Sequence, residues 1–428
     1  MSTIALTGGH VLHPDGSVTE ADVLVDQATG EIRAVGPDLA GDRTLSAAGG
    51  LIMPGLVNAH THVAMTLLRG YADDKSLDAW LQEDIWPAEA ALEPEDVRAG
   101  TELGLLEMIR SGTTAFADMY FEMETVAEAV KSAGLRARLS HGVVTVGKDE
   151  AGAAEDVEAG LDFARWAKEL ESDLIQPAVS PHSLTTVNEA ALEELIAGAK
   201  DLDVPLHIHA NETEEEVEPI VSERGVRPLE YAAEKGLLRA EDFLAHGVHL
   251  SEEEVSLLGE RESSVVHCPA SNMKLASGMA PVAELEAANA ALALGTDGAA
   301  SNNDLSMFDE MRDAALLGKL AADDAAAVPA EVVIEMATAG GASALSLPGG
   351  HIEPGAAADL IVVDFQSPRL TPVHDYVSHL AYAASGSDVR HTVVDGTVLM
   401  EDREVLTLDE TAVRSRAAER ASLLADRA

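Results

Sequence analysis

The sequence holds a single cysteine, Cys268, in 428 residues, so no internal disulfide can form, which suits a reducing cytoplasm. It has no apolar run near the roughly 18 residues that a membrane span needs. Its start, MSTIALTGGH, shows neither the basic segment nor the apolar stretch of a secretory leader. These absences predict a soluble, cytoplasmic protein with no membrane partner. Basic residues are scarce, 28 against 75 acidic ones, and only eight of the 28 are lysine. A net charge of −47 repels phosphates, which excludes nucleic acid as a partner. So acidic a chain would be disordered if it were also poor in apolar residues. Those make up 46%, however, in regular periodic patterns, so the chain folds.

Acids gather where helix surfaces are expected, as in NETEEEVEP and SEEEVSLL, and they run the whole length of the chain. One reading is an acidic face for a cationic partner. The other is a protein built for molar salt, where the Debye length shrinks to roughly 3 Å and self-repulsion is screened. An even spread of charge, rather than one acidic block, favours the second.

The first ~50 residues read as short strands and turns, IALTGGHVL, DVLVD and EIRAVG. After MPG at 53–55 the texture changes to short β-rich segments alternating with Ala/Glu/Leu-rich helical ones. Eight strands are predicted: GLVNAH (55–60), TTAFADM (113–119), RARLSH (136–141), LIQPAVSPH (174–182), VPLHIH (204–209), DFLAHG (242–247), SVVHCP (264–269) and AALALGTD (290–297). Eight β/α units of this size predict an α/β fold, a (β/α)8 TIM-type barrel over 55–351. From about 352 the text turns strand-like again, in DLIVVDF and HTVVDGTVLMEDREVL. The two flanks, 1–54 and 352–428, are expected to pair into a small β domain.

Nine of the fifteen histidines, at 60, 62, 141, 182, 207, 209, 246, 249 and 267, fall at or just past the ends of those strands. A barrel builds its active site at that rim. His60 and His62 in NAHTH lie two apart, and on a strand such residues face one side. LHIHANET repeats the spacing and adds Glu212 three residues after His209, while ALGTDG brings Asp297 to the end of strand 8. Two histidines from strand 1, one from strand 5 and this aspartate make an N₃O set that suits zinc or ferrous iron and leaves a position for water.

The constellation NAHTH, SPHS, HIHANET, AHGVH and GTDG resembles the amidohydrolase superfamily, and within it the methylthioadenosine/S-adenosylhomocysteine deaminases and their chlorohydrolase relatives. LDAWLQEDIWPAEA, HCPASNMKLASGMAPV and GTDGAASNNDLSMFDEMR add to the likeness, which covers almost the whole chain. The resemblance implies a composite β-sandwich domain from both termini and a homo-oligomer. It implies one divalent metal, zinc or iron, on His60, His62, His209 and Asp297. Strand 4 ends in SPHS without the lysine that bridges two metals in other members, which argues for a single ion. Zinc deaminases of the cytidine type need paired cysteines, which this chain lacks.

The implied reaction is hydrolytic deamination of an adenosine-type nucleoside. Glu212 would carry the proton to N1 of adenine, His246 would orient water, and Asp297 would double as ligand and proton acceptor. Glu89, just after IWP, matches the ribose-binding glutamate, and His182 matches the residue that bonds the purine. One departure stands out: RLSHGVV has His141 where relatives that accept S-adenosylhomocysteine carry arginine. A histidine grips a carboxylate less well than an arginine fork, so methylthioadenosine, 5′-deoxyadenosine or adenosine should be preferred. The alternative within enzymes is a hydrolase of guanine, a triazine or another amino-heterocycle. Outside enzymes, a nucleoside-binding protein that has lost its chemistry would lack a ligand or the proton shuttle, and none is missing here. His207, His249 and His267 are expected to pack or support, as is Cys268. Asn272, Lys274 and Ser277 form a family loop without a derivable role.

Overall fold

The computed structural model describes residues 2–428. Five strands open the chain: β1 (Thr3–Leu12), β2 (Val18–Asp26), β3 (Glu31–Gly36), β4 (Arg43–Ser46) and β5 (Gly50–Pro54). The first three match the sequence reading. The fourth is too short, and the fifth too evenly apolar, to show alternation. Then come the parallel strands β6 (Leu56–Thr61), β7 (Thr113–Tyr120), β8 (Arg136–Val143), β9 (Ile175–Pro177), β10 (Ser180–Pro181), β11 (His207–Ala210), β12 (Phe243–His246), β13 (Ser264–His267) and β14 (Ala291–Leu294). β15 (Leu360–Asp364), β16 (Val389–Val394), β17 (Thr397–Glu401) and β18 (Glu404–Val405) follow.

The parallel strands form an α/β, TIM-type arrangement. β6 to β10 make one sheet and β11 to β14 another. Parallel bridges Val179–Leu206 and Ser183–His209 join the two on one side. On the other, the Asp297 amide donates to the His60 carbonyl at 3.0 Å. The predicted fourth strand is split into β9 and β10 because Pro177 and Pro181 have no N–H to give the ladder. Intervening helices carry ordinary start and stop signals. The helix Pro94–Ser111, for example, opens on proline, with Asp96 bonding back to the Glu93 amide, and stops at Gly112, whose φ is 90°.

Strands from both ends of the chain share one nine-stranded sheet, ordered β18-β17-β16-β15-β5-β1-β2-β3, with β4 beside β1. β15 lies antiparallel to β5, which sets Leu360 opposite Pro54. Ile4, Leu6, Val25, Ile52, Leu360 and Val362 belong to the core of this sheet. Its last part is less strand-like than the sequence suggested. Tyr376–Tyr382 and Glu410–Arg427 are helices. The second packs on Pro94–Ser111, where Arg420 Nε meets the buried Asp96 at 2.6 Å and Arg427 bonds its other oxygen. Among the described residues no helix is long and apolar enough to cross a membrane.

Candidate active site

The ends of β6, β11 and β14 converge. His60, His62, His209 and Asp297 each present one ligand atom, and these atoms lie within 4.8 Å of one another. Asp297 Oδ1 is 3.3 Å from His60 Nε2 and 3.2 Å from His62 Nε2. His62 Nε2 and His209 Nε2 are 3.2 Å apart. The alternation of β6 explains the pair of imidazoles. Thr61, between them, faces the other way and donates its hydroxyl to the Ala117 carbonyl and to Asp118. Asp118 also takes the Val63 amide at 2.7 Å, so the end of the strand is fixed.

Each imidazole is aimed by its second nitrogen. His62 Nδ1 bonds the Met119 carbonyl at 2.6 Å, and His209 Nδ1 bonds the His182 carbonyl at 2.7 Å. Those bonds put the proton on Nδ1 and turn the Nε2 lone pair inward, as metal-ligating histidines require. His60 Nδ1 instead meets His207 Nε2 at 2.8 Å, and His207 stacks on Phe243 with centroids 4.3 Å apart. His207 thus opens its strand rather than ending it, one layer below the rim, as a support to His60. Asp297 is held from behind, its Oδ2 accepting from Ser271 at 2.7 Å and Ser301 at 2.6 Å.

A divalent metal fits this set. His60 Nε2 is buried without a hydrogen-bond partner, the state of a lone pair awaiting a ligand bond. Burial pushes His60 down to about 4, and takes His209 well below its usual value, so both are neutral donors. Burial also disfavours charge on His62, but bonds to Asp297 overcome it and raise it to about 9. The pocket therefore suits one positive charge beside Asp297, and a divalent metal held by these residues would take the place of that proton.

Next to the ligands stand Glu212 and His246, with His246 Nε2 3.6 Å from Glu212 Oε2. Ser277 donates to Glu212 Oε1 at 3.1 Å, and His246 Nδ1 lies 3.0 Å from Asn272 Oδ1. Burial raises the Glu212 carboxyl, partly offset by His246. His246 is raised too, as the charges of Glu212 and Asp297 outweigh its burial. Both His246 (φ 77°) and Asp297 (φ 60°) adopt left-handed backbone at their strand ends, a costly conformation that tends to collect at functional sites. The loop role of Asn272 and Ser277, not derivable from sequence, is to hold these two groups.

The remaining predicted residues surround this centre. The His182 ring lies 4.6 Å from that of His209, is pushed down to about 3 by burial, and has Nδ1 3.1 Å from Thr186 Oγ1. Glu89 ends a helical stretch that passes through a π-turn at Leu81–Ile85, and it bonds the Tyr120 hydroxyl. Burial lifts its carboxyl to about 7. His141 stands further out, along a row His62–Tyr120–Phe121–His141 with centroid steps of 6.4, 5.0 and 5.9 Å. Its Nε2 is engaged by Asp156 at 3.0 Å, and Asp156 also binds Lys148 at 2.8 Å. His249 ties the Ser277 carbonyl at 2.7 Å, and His267 is buried in the barrel. Sequence reasoning missed Tyr120, Ser271 and Ser301, because a supporting hydroxyl leaves no spacing signature.

Comparison with known proteins agrees with this geometry. The model of the amidohydrolase family matches residues 51–399. A Halobacterium salinarum protein named 5-methylthioadenosine/S-adenosylhomocysteine deaminase is 66% identical over 426 residues, covering 100% of this chain and 99% of that one. A Methanosarcina mazei protein named 5′-deoxyadenosine deaminase is 43% identical over 432 residues, covering 100% and 99%. Among solved structures, an adenosine deaminase from Xanthomonas campestris with bound zinc superposes with a TM-score of 0.93 at 39% identity, covering 99% of this chain and 98% of that one.

Proposed function

We propose that this chain, which belongs to the amidohydrolase family, is a metal-dependent deaminase that converts an adenosine-type nucleoside to its inosine analogue and ammonia. It is a hydrolase acting on a C–N bond. The observation that carries the reading is the Glu212–His246 pair at 3.6 Å beside a three-histidine, one-aspartate metal set. It occurs in a chain 66% identical, end to end, to a named deaminase of this class.

His60, His62, His209 and Asp297 would hold the ion, for which zinc is the first choice. Bound there, it supplies Lewis acidity that makes water a source of hydroxide near neutral pH. Glu212 takes a proton from the attacking water and delivers it to N1 of the purine, which leaves C6 electrophilic. Its raised pKa suits a group that must both accept and release that proton. His246, whose pKa the charges of Glu212 and Asp297 raise against its burial, orients the water and steadies the negative charge that develops as C6 becomes tetrahedral. Asp297 takes the remaining proton from the hydroxyl added at C6 and passes it to the exocyclic nitrogen, so that ammonia leaves as the C6 oxygen becomes a carbonyl. His182, whose Nε2 is free, serves as donor to the purine ring, and Glu89 with Tyr120 faces the ribose hydroxyls.

His141 is already paired with Asp156, so it offers less to a substrate carboxylate than a free cation would. This supports a preference for methylthioadenosine, 5′-deoxyadenosine or adenosine over S-adenosylhomocysteine. The reading extends to a cytoplasmic homo-oligomer, and to a small sandwich-like domain of residues 1–54 with 352–428 wrapped on the core of the terminal sheet. The test is ammonia release in molar KCl by the zinc-loaded protein from those four nucleosides and guanine. Turnover of the adenosine compounds, lost on chelation, is the expected result. Turnover of guanine alone would overturn it.

A further inference from the structure

The run NETEEEVEP reads as one solvated acidic surface, but the fold divides it. Glu214, Glu215 and Glu218 are exposed, whereas Glu212 is buried and Glu216 is turned inward beside it. One oxygen of Glu216 accepts the backbone amide of Glu212 at 2.9 Å. The hydroxyl of Ser183 donates to the same carboxyl. Ser183 follows His182 directly and bridges to His209 across the seam between strands 4 and 5. Its hydroxyl also meets Thr186 Oγ1 at 3.0 Å, the group that holds His182 Nδ1. Glu216 therefore touches the two strand ends that bear the proton shuttle and the purine contact.

The geometry points to Glu216 as a positioning residue that works as a bracket: it accepts from the Glu212 amide and from the Ser183 hydroxyl, and so fixes the Glu212 carboxyl relative to His182. This inference rests on the deaminase reading above. Burial first, then the charge of Glu212, lifts Glu216 to about 7, while the Glu212 amide and the Ser183 hydroxyl pull the other way as donors to its carboxylate. An ordinary helix-start acid would face water and the helix dipole, as Glu214 and Glu215 do.

Glutamine and methionine separate the bracket from mere filling, since both are uncharged and similar in size but only glutamine can accept the two hydrogen bonds. Glu216→Gln should keep kcat within about threefold of the parent, while Glu216→Met should lower kcat by about 10- to 100-fold with KM little changed, the cost of a misplaced acid–base group. Hydrogen exchange of the Glu212 amide gives a readout free of substrate: fast in the Met variant, slow in the parent and the Gln variant. Should the Met variant fail to fold, Glu216→Asp, too short to reach both partners, takes its place with the same expectation. An unimpaired Met variant overturns the bracket, as does a Gln variant as impaired as Met. A parent silent on every nucleoside overturns the deaminase reading instead, and the exchange measurement still decides for or against Glu216.

Discussion

Glu89 shows how a single side chain can be tuned by its place. Ordinary glutamates titrate near 4.5, and burial at the end of the π-turn stretch lifts this one to about 7. Because the folded value lies above the unfolded one, the stability linked to Glu89 is fully present below pH 4.5 and lost as pH rises through 7. Replacing it with glutamine removes that loss. The Glu89→Gln protein, free of metal, should match the parent's unfolding free energy near pH 4.5 and exceed it at pH 8, by on the order of 2 kcal/mol. A difference independent of pH would mean the carboxyl is not held above its usual value. The same substitution should raise KM for nucleosides and spare kcat, since a ribose contact acts equally on bound substrate and transition state.

Elements explain what could and could not be read in advance. HxH pairs announce themselves because strand geometry forces residues two apart onto one side. The structure accordingly brings His60, His62, His209 and Asp297 within 4.8 Å. The barrel strands fell close to their predicted spans for the same reason. Strand 4 broke in two because its prolines withhold donors, and the helix Glu410–Arg427 was hidden behind strand-like neighbours. Seams between elements are invisible to periodicity. At the seam of β14 and β6, a Cβ on Gly295 would lie 2.8 Å from the His60 nitrogen and 2.9 Å from its Cβ. No side chain fits there, so Gly295 sets how close His60 and Asp297 can come. Gly295→Ala should fold yet hold zinc about 10- to 100-fold more weakly, the scale seen when residues behind the ligands are altered. Unchanged affinity in a chelator competition would show that the seam does not govern the site.

Across the whole molecule, charge and topology set the terms. The 75 acids repel one another over distances that dilute buffer does not screen. Local pairs such as Arg420 with the buried Asp96 are sheltered and lose less to salt. Long-range repulsion therefore yields more than attraction does when salt is added, and the melting temperature should climb steadily from about 0.1 M to molar KCl. Full stability in dilute buffer would remove the case for salt adaptation. The pairing of β5 with β15 carries a consequence of another kind. Leu360 opposite Pro54 means that the chain enters and leaves the barrel at one spot. Everything between is a single closed loop of roughly 300 residues, whose closure costs about 5 kcal/mol of chain entropy in the simplest polymer estimate. The terminal sheet bears that entropy at its two central strands. Cutting the chain within a barrel loop leaves the two halves tethered at the sheet, so a nicked protein would still find its own ends.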